Sequence, residues 1–138
     1  MNFSYLHKVK YHETDKMGIV HHSNYVKWLE DARIEYLKHL GIDFKDFESL
    51  GITSPVLSVK CEYKCVCEFS DEVIINCEIK EYSGVKLTFT YEVFNKTKNA
   101  LSLTGETKHC FLYNQKVCAL KNHSEQFDNI LKEKCKKS

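Results

Sequence analysis

One proline and five glycines in 138 residues leave little material for long irregular segments. No stretch is biased enough in composition to serve as a linker or a low-complexity region. No internal repeat is visible either, so the length suits a single domain over residues 1–138, inside the usual range of roughly 100–200 residues. No apolar run approaches the roughly 18 residues that a membrane-crossing helix needs, and membrane insertion is not expected. The opening MNFSYLHKVKYHE lacks a positive region followed by an apolar block, so no secretory signal is expected and the chain reads as cytoplasmic. Charge of one sign is also missing: twenty basic against nineteen acidic residues give a formal net charge of +1. That balance offers no electrostatic footprint for nucleic acid. Only Lys132–Lys137 is locally basic, and it reads as a solvated end.

Several chemistries are excluded by missing motifs. Seven cysteines are an odd number, contain no CxxC pair and accompany no export signal, which argues against a disulfide scaffold. Cys65 and Cys67 are expected to alternate on a strand with both thiols on one face, where packing is the ordinary role. His7, His12, His21 and His22 form no HExxH or other ligand spacing, and adjacent histidines rarely serve one ion, so no metal is expected. The absence of GxGxxG, GxxxxGK[ST] and GxSxG argues against dinucleotide, P-loop and serine-hydrolase mechanisms, and no cofactor is implied. No cysteine shows paired His-Asp logic of the cysteine-protease kind.

What is present is a core and a clear pattern. Residues of apolar type make up 43% of the chain, with eight Phe and eight Tyr among them. Alternation from about Phe3 to Tyr11 predicts a strand with Phe3, Tyr5, His7, Val9 and Tyr11 on one side. Tyr25, Trp28, Leu29, Ala32, Tyr36, Leu37 and Leu40 recur at spacings of three and four. They predict one long amphipathic helix, capped by Ser23 or Asn24 and stopped by Gly41. A short helix over about Asp43–Leu50 follows. From Pro55 the period becomes two, predicting strands near Val56–Glu68, Glu72–Tyr82, Lys86–Asn95, Ala100–Leu112 and Lys116–Ala119. The short turns between them imply antiparallel neighbours. A closing helix is expected near Ser124–Lys136. Strand, long helix, then antiparallel strands is an α+β layout, with the sheet wrapped on the helix to bury its aromatic stripe.

The stretch from Tyr11 to Gly41 carries the chemistry. A polar turn with Glu13, Asp15, His21 and His22 runs straight into the long helix. Free N–H groups at a helix start are ready donors for an oxygen that becomes negative. A carboxylate beside such donors suits hydrolytic chemistry at a carbonyl. Gly18 lets the turn fold tightly and lets backbone approach a substrate.

The run Y-H-E-T-D-K-M-G-I-V-H-H-S-N-Y resembles the signature of hotdog-fold acyl-CoA thioesterases of the 4-hydroxybenzoyl-CoA thioesterase/YbgC type. Asp15, Gly18, Ile19, Val20, His21, His22, Asn24 and Tyr25 occupy its places, and W-L-E-D-A-R and L-G-I continue it. The layout is similar over almost the whole chain, whereas the specific motif covers about residues 11–41. The resemblance implies a hotdog fold in which an antiparallel sheet wraps one long central helix. It further implies a homodimer or homotetramer with active sites at subunit interfaces. It makes Asp15 the catalytic carboxylate, acting as general base or nucleophile, with Tyr11 and His22 as its companions and the N–H near His22 as oxyanion donor. Gly18, Val20, Asn24 and Tyr25 would line the substrate side. Glu13 stands where the family often has an acidic or small residue. Lys86, after the Ser83-Gly84 turn, is expected as a contact to the CoA phosphates, a position that no motif carries over. The implied reaction converts an acyl-CoA and water into a free acid and CoA, with acyl carrier protein thioesters as a variant substrate class. The alternative is a non-catalytic hotdog domain binding acyl-CoA or acyl carrier protein as a sensor or scaffold. A hotdog dehydratase fits the Asp loop poorly.

Overall fold

A computed structural model describes residues 3–136. Strand β1 (Phe3–Lys8) leads through a 3₁₀ turn (Tyr11–Glu13) to helix α1 (His22–His39), short helix α2 (Phe44–Ser49) and strand β2 (Ile52–Thr53). Strands β3 (Val56–Tyr63), β4 (Glu72–Tyr82), β5 (Lys86–Asn95), β6 (Ala100–Cys110), β7 (Leu112–Tyr113) and β8 (Lys116–Val117) follow. A second 3₁₀ turn (Leu120–Asn122) and helix α3 (Glu125–Lys136) close the chain. Five strands form one sheet in the order β1-β4-β5-β6-β3, and β2-β7-β8 form a small second sheet. No helix among the described residues is long and apolar enough to cross a membrane. Lys137, the end of the basic tail, lies outside the described residues.

The contacts divide the chain into two compact units. The first comprises residues 1–36, 61–78 and 91–105. Here β1 lies antiparallel to β4, with Phe3 opposite Cys77, Tyr5 opposite Ile75 and His7 opposite Val73. The alternation seen in the sequence becomes half-buried Phe3, Tyr5 and His7 against exposed Ser4, Leu6 and Lys8. The apolar stripe of α1 is buried in the same unit at Tyr25, Trp28, Leu29, Ala32 and Tyr36. Burying one such ring removes on the order of 200 Å² from water, roughly 5 kcal/mol before entropy is counted. Arg33 is buried too, and its guanidinium donates to the Tyr91 hydroxyl at 3.3 Å.

The second unit comprises residues 37–60, 79–90 and 106–138. Helix α2 starts where the Asp43 carboxylate accepts from the Lys45 amide at 3.0 Å. Phe47 packs edge-on to Phe127 of α3, with ring centroids 5.3 Å apart. Buried Asp128 ties α3 to β4 by accepting from the Tyr82 hydroxyl at 2.5 Å.

Four expectations from sequence change. The first strand ends at Lys8, and Tyr11 opens the 3₁₀ turn instead of lying on the strand. The cause is Glu13, whose carboxylate takes the Lys10 amide at 2.7 Å and turns the chain. Strand β3 does not neighbour β4: it sits at the far edge beside β6, and β1 takes the β4 edge. The connection over residues 64–71 is irregular rather than a tight hairpin, and the amides of Lys64 and Cys65 bond to Ser102 and Leu101. Because β3 stops at Tyr63, Cys65 and Cys67 are off the strand and share no face. Cys67 is fully buried and donates to Ser102 Oγ, whereas Cys65 donates to the Val66 carbonyl. Finally, α1 begins at His22, ahead of both expected capping residues.

Candidate active site

All of the Tyr11–Tyr25 segment lies in the first unit. The Asp15 amide donates to the Ile19 carbonyl at 2.9 Å, the His21 amide donates to the Glu13 carbonyl at 3.0 Å, and Thr14 bridges Val20 antiparallel. Residues 13–21 are thus a small hairpin with a three-residue loop, Lys16-Met17-Gly18. Such loops place a left-handed residue last, and Gly18 has φ +77. A Cβ there would meet nothing within 4 Å. Glycine is required by the backbone conformation and not by crowding.

The hairpin presents the Asp15 carboxylate half-buried. Asp15 Oδ1 accepts from the Met17 amide at 2.8 Å, and the other oxygen has no protein partner among the described residues. The return arm feeds straight into α1. At that entrance His21 Nδ1 meets Ser23 Oγ at 2.8 Å and accepts from the Ser23 amide at 3.3 Å. The Asn24 amide donates to the His21 carbonyl at 2.9 Å. The amide of His22 has no acceptor among the described residues. Its imidazole is exposed and lies over His21, with ring centroids 4.2 Å apart.

A residue whose weight the sequence did not convey holds this junction together. Glu13 is only 6% exposed. Its Oε1 accepts from the Lys10 amide and meets His7 Nε2 at 2.9 Å, while Oε2 accepts from the Trp28 indole at 2.6 Å. Its carbonyl accepts from Asn24 Nδ2 at 2.8 Å as well as from the His21 amide. Burial alone would raise its pKa, but the Lys10 amide, the Trp28 indole and His7 together hold it below the usual carboxylate range. One side chain therefore locks strand, hairpin and helix. The only sequence signal was that a buried Trp28 would need an acceptor for its N–H.

The other expected site residues fall as follows. Val20 and Tyr25 are each 4% exposed and pack inward, the Val20 amide bonding to the Cys67 carbonyl at 2.8 Å. Burial and neighbouring Cys67 push the Tyr25 phenol well above its ordinary pKa. Tyr11 is 75% exposed and packs edge-on to Phe69 with centroids 5.6 Å apart. Lys86 belongs to the second unit, at the first position of β5, where it lines a cleft with Lys80, Ser83, Thr88 and Lys108.

Comparison with known proteins adds a family to this geometry. The family model described as the thioesterase-like superfamily matches residues 9–131. The acyl-CoA thioester hydrolase YbgC of Escherichia coli O6:H1 is 30% identical over 95 residues, which is 69% of this chain and 71% of that protein. A hypothetical protein from Aquifex aeolicus, known from its crystal structure, is 32% identical with a TM-score of 0.86, covering 94% of this chain and 98% of its own. The DHNA-CoA thioesterase from Staphylococcus aureus is 30% identical with a TM-score of 0.92, covering 96% and 89%. The architecture described above is the hotdog fold.

Proposed function

We propose that this chain, which belongs to the thioesterase-like superfamily, is an enzyme that hydrolyses acyl-CoA thioesters to a free acid and CoA. The observation that carries the reading is the hairpin–helix junction. A half-buried carboxylate with one unpaired oxygen, on Asp15, stands in the same hairpin that delivers the unpaired His22 amide at the helix start. The names of the relatives support the same chemistry.

A thioester carbonyl is already electrophilic, so placement and charge stabilisation do most of the work. Asp15 acts through its free oxygen. As general base it takes a proton from water, whose oxygen then attacks the carbonyl carbon and expels CoA thiolate. As nucleophile it attacks the carbon itself and expels CoA thiolate as the C–S bond breaks, and water then hydrolyses the resulting mixed anhydride. On either route the carbonyl oxygen becomes an oxyanion facing the His22 amide at the positive end of α1. Removing one such donor in other enzymes costs about 10²–10³ in rate. The His22 imidazole positions water or donates a hydrogen bond, and Tyr11 closes the exposed side of the loop. Asn24 and Gly18 hold the backbone that touches the substrate, over a floor made by Val20 and Tyr25. Lys86 is offered to the CoA phosphates.

We place the working form as a homodimer or homotetramer with its sites at subunit interfaces. The support is edge strand β3, where Val56, Leu57, Val59 and Tyr63 remain 45–51% exposed. An exposed apolar edge is a template for pairing with another chain. Thioesters of acyl carrier protein belong to the same substrate class. Free thiols at Cys61, Cys65, Cys67, Cys77, Cys110 and Cys118 suit the reducing cytosol, where we place the protein.

The test is CoA release from a panel of acyl-CoAs by native protein and by Asp15→Asn. Native protein hydrolyses at least one member, and the variant is at least tenfold slower with circular dichroism and oligomer size unchanged. Native protein that binds acyl-CoA yet releases no CoA across the panel would replace this reading with the sensor or scaffold one.

A further inference from the structure

We infer that Tyr63 is a positioning residue for the His22 imidazole, an inference that rests on the thioesterase reading above. Tyr63 is the last residue of β3, and its ring remains 49% exposed. It meets the His22 ring edge-on, with centroids 6.4 Å apart and planes at 75°. It meets Tyr25 in the same manner at 5.4 Å and 61°. Tyr25 in turn is edge-on to Trp28 at 4.9 Å, and Trp28 lies 4.7 Å from the His7 ring. An unbroken line of rings therefore runs from the buried interior of the first unit to the helix entrance, and Tyr63 is its last rigid member before the imidazole.

His22 needs such support because it stands exposed at the first turn of α1. On one side lies His21, itself fixed by Ser23. On the other side the edge-on Tyr63 ring limits the swing of the imidazole. An edge-to-face aromatic contact biases one arrangement over its alternatives roughly 2–12-fold. Because the effect passes through His22, it belongs in turnover and not in substrate affinity. Nothing in the sequence around Tyr63 signals the role, since it depends on β3 ending beside the helix start.

The experiment is a double-mutant cycle on the best acyl-CoA of the panel, using Tyr63→Leu, Tyr63→Phe, His22→Gln and the Leu/Gln double variant. Tyr63→Leu lowers kcat about 3–10-fold with KM within about twofold. Tyr63→Phe, which keeps the ring, retains at least half of native kcat. The double variant is no slower than His22→Gln alone, because no imidazole is left to position. The His22 ring resonances, assigned by NMR, shift in Tyr63→Leu and hardly move in Tyr63→Phe. If Tyr63→Leu misfolds, Tyr63→Met supplies the same comparison. The inference is overturned if the two losses multiply, if Tyr63→Phe fails as badly as Tyr63→Leu, or if KM carries the loss. A fully active His22→Gln overturns it as well. Retained activity in Asp15→Asn would instead bring down the thioesterase site itself, so the two failures are told apart.

Discussion

Replacing Glu13 with alanine withdraws the acceptor from three donors at once. The most serious loss is at the Trp28 indole, whose residue is 1% exposed and whose N–H has Glu13 Oε2 as its acceptor. A buried donor left unpaired costs about 1–3 kcal/mol. His7 loses its carboxylate while only partly accessible to water, and the Lys10 amide regains water at little cost. With a carboxylate as the lost acceptor, the stranded donors together cost about 3 kcal/mol. Domains of this size have stabilities of about 5–15 kcal/mol and shift roughly 3 °C in Tm per kcal/mol. Glu13→Ala is therefore expected to melt about 10 °C below native protein by circular dichroism. Glu13→Gln keeps an oxygen for Trp28 and loses only the charge, so its drop is expected to be about half as large. The sign with pH follows from the depressed pKa of Glu13. Its contribution is fully present above the unfolded carboxylate range and is lost as pH falls through the lower folded value. The gap between native and Glu13→Gln melting temperatures should thus narrow in acid. An alanine variant melting within about 2 °C of native at neutral pH would refute the reasoning, because the indole would then have found another acceptor at no cost.

Gly18→Ala tests the hairpin: with nothing near the added methyl, the cost is the left-handed backbone alone, about 1–2 kcal/mol in urea denaturation. Gly18→Asn is expected to lose much less, since asparagine tolerates that conformation; equal losses would point to crowding. In the second unit, Asp128→Asn should lower Tm by several degrees at neutral pH by weakening the Tyr82 and Lys132 contacts. Burial alone would raise the Asp128 pKa, but Tyr82 and Lys132 hold it low, so that difference too fades as pH drops below the carboxylate range. A difference that widens in acid would contradict the assignment.

Elements whose pattern is local were legible. Strands β4 and β5 have the boundaries their alternation and turns implied. The buried stripe of α1 follows its three-and-four spacing through Leu37, with only Leu40 left half-buried. Strand order was not legible. The short turn between the strands expected to end at Glu68 and begin at Glu72 implied a hairpin, yet Asp71 is buried where its carboxylate accepts from the Glu68 amide and Asn95 Nδ2. That network spends the turn on tertiary bonds and sends β3 to the opposite edge. Arg33 shows the same limit, because a charge on the apolar side of a helix reads as an error until Tyr91 supplies its partner.

The helix start shows how a local rule was overridden and why that matters for the site. Ser23 and Asn24 are good capping residues by type, and either could have satisfied the first amides of α1. Instead Asn24 Nδ2 is drawn to the Glu13 carbonyl, and Ser23 Oγ is held by His21 Nδ1. Each side chain gives up the cap for a bond that fixes the hairpin against the helix. The helix begins two or three residues earlier than the capping pattern implied, and the His22 amide has no acceptor among the described residues. A cap takes the second or third amide of a helix, as His21 does here with the amides of Ser23 and Asn24, and leaves the first amide open to an oxyanion. The buried hub at Glu13 holds Asn24 and the His21 amide, and so fixes the hairpin against the turn that carries the proposed catalytic donor.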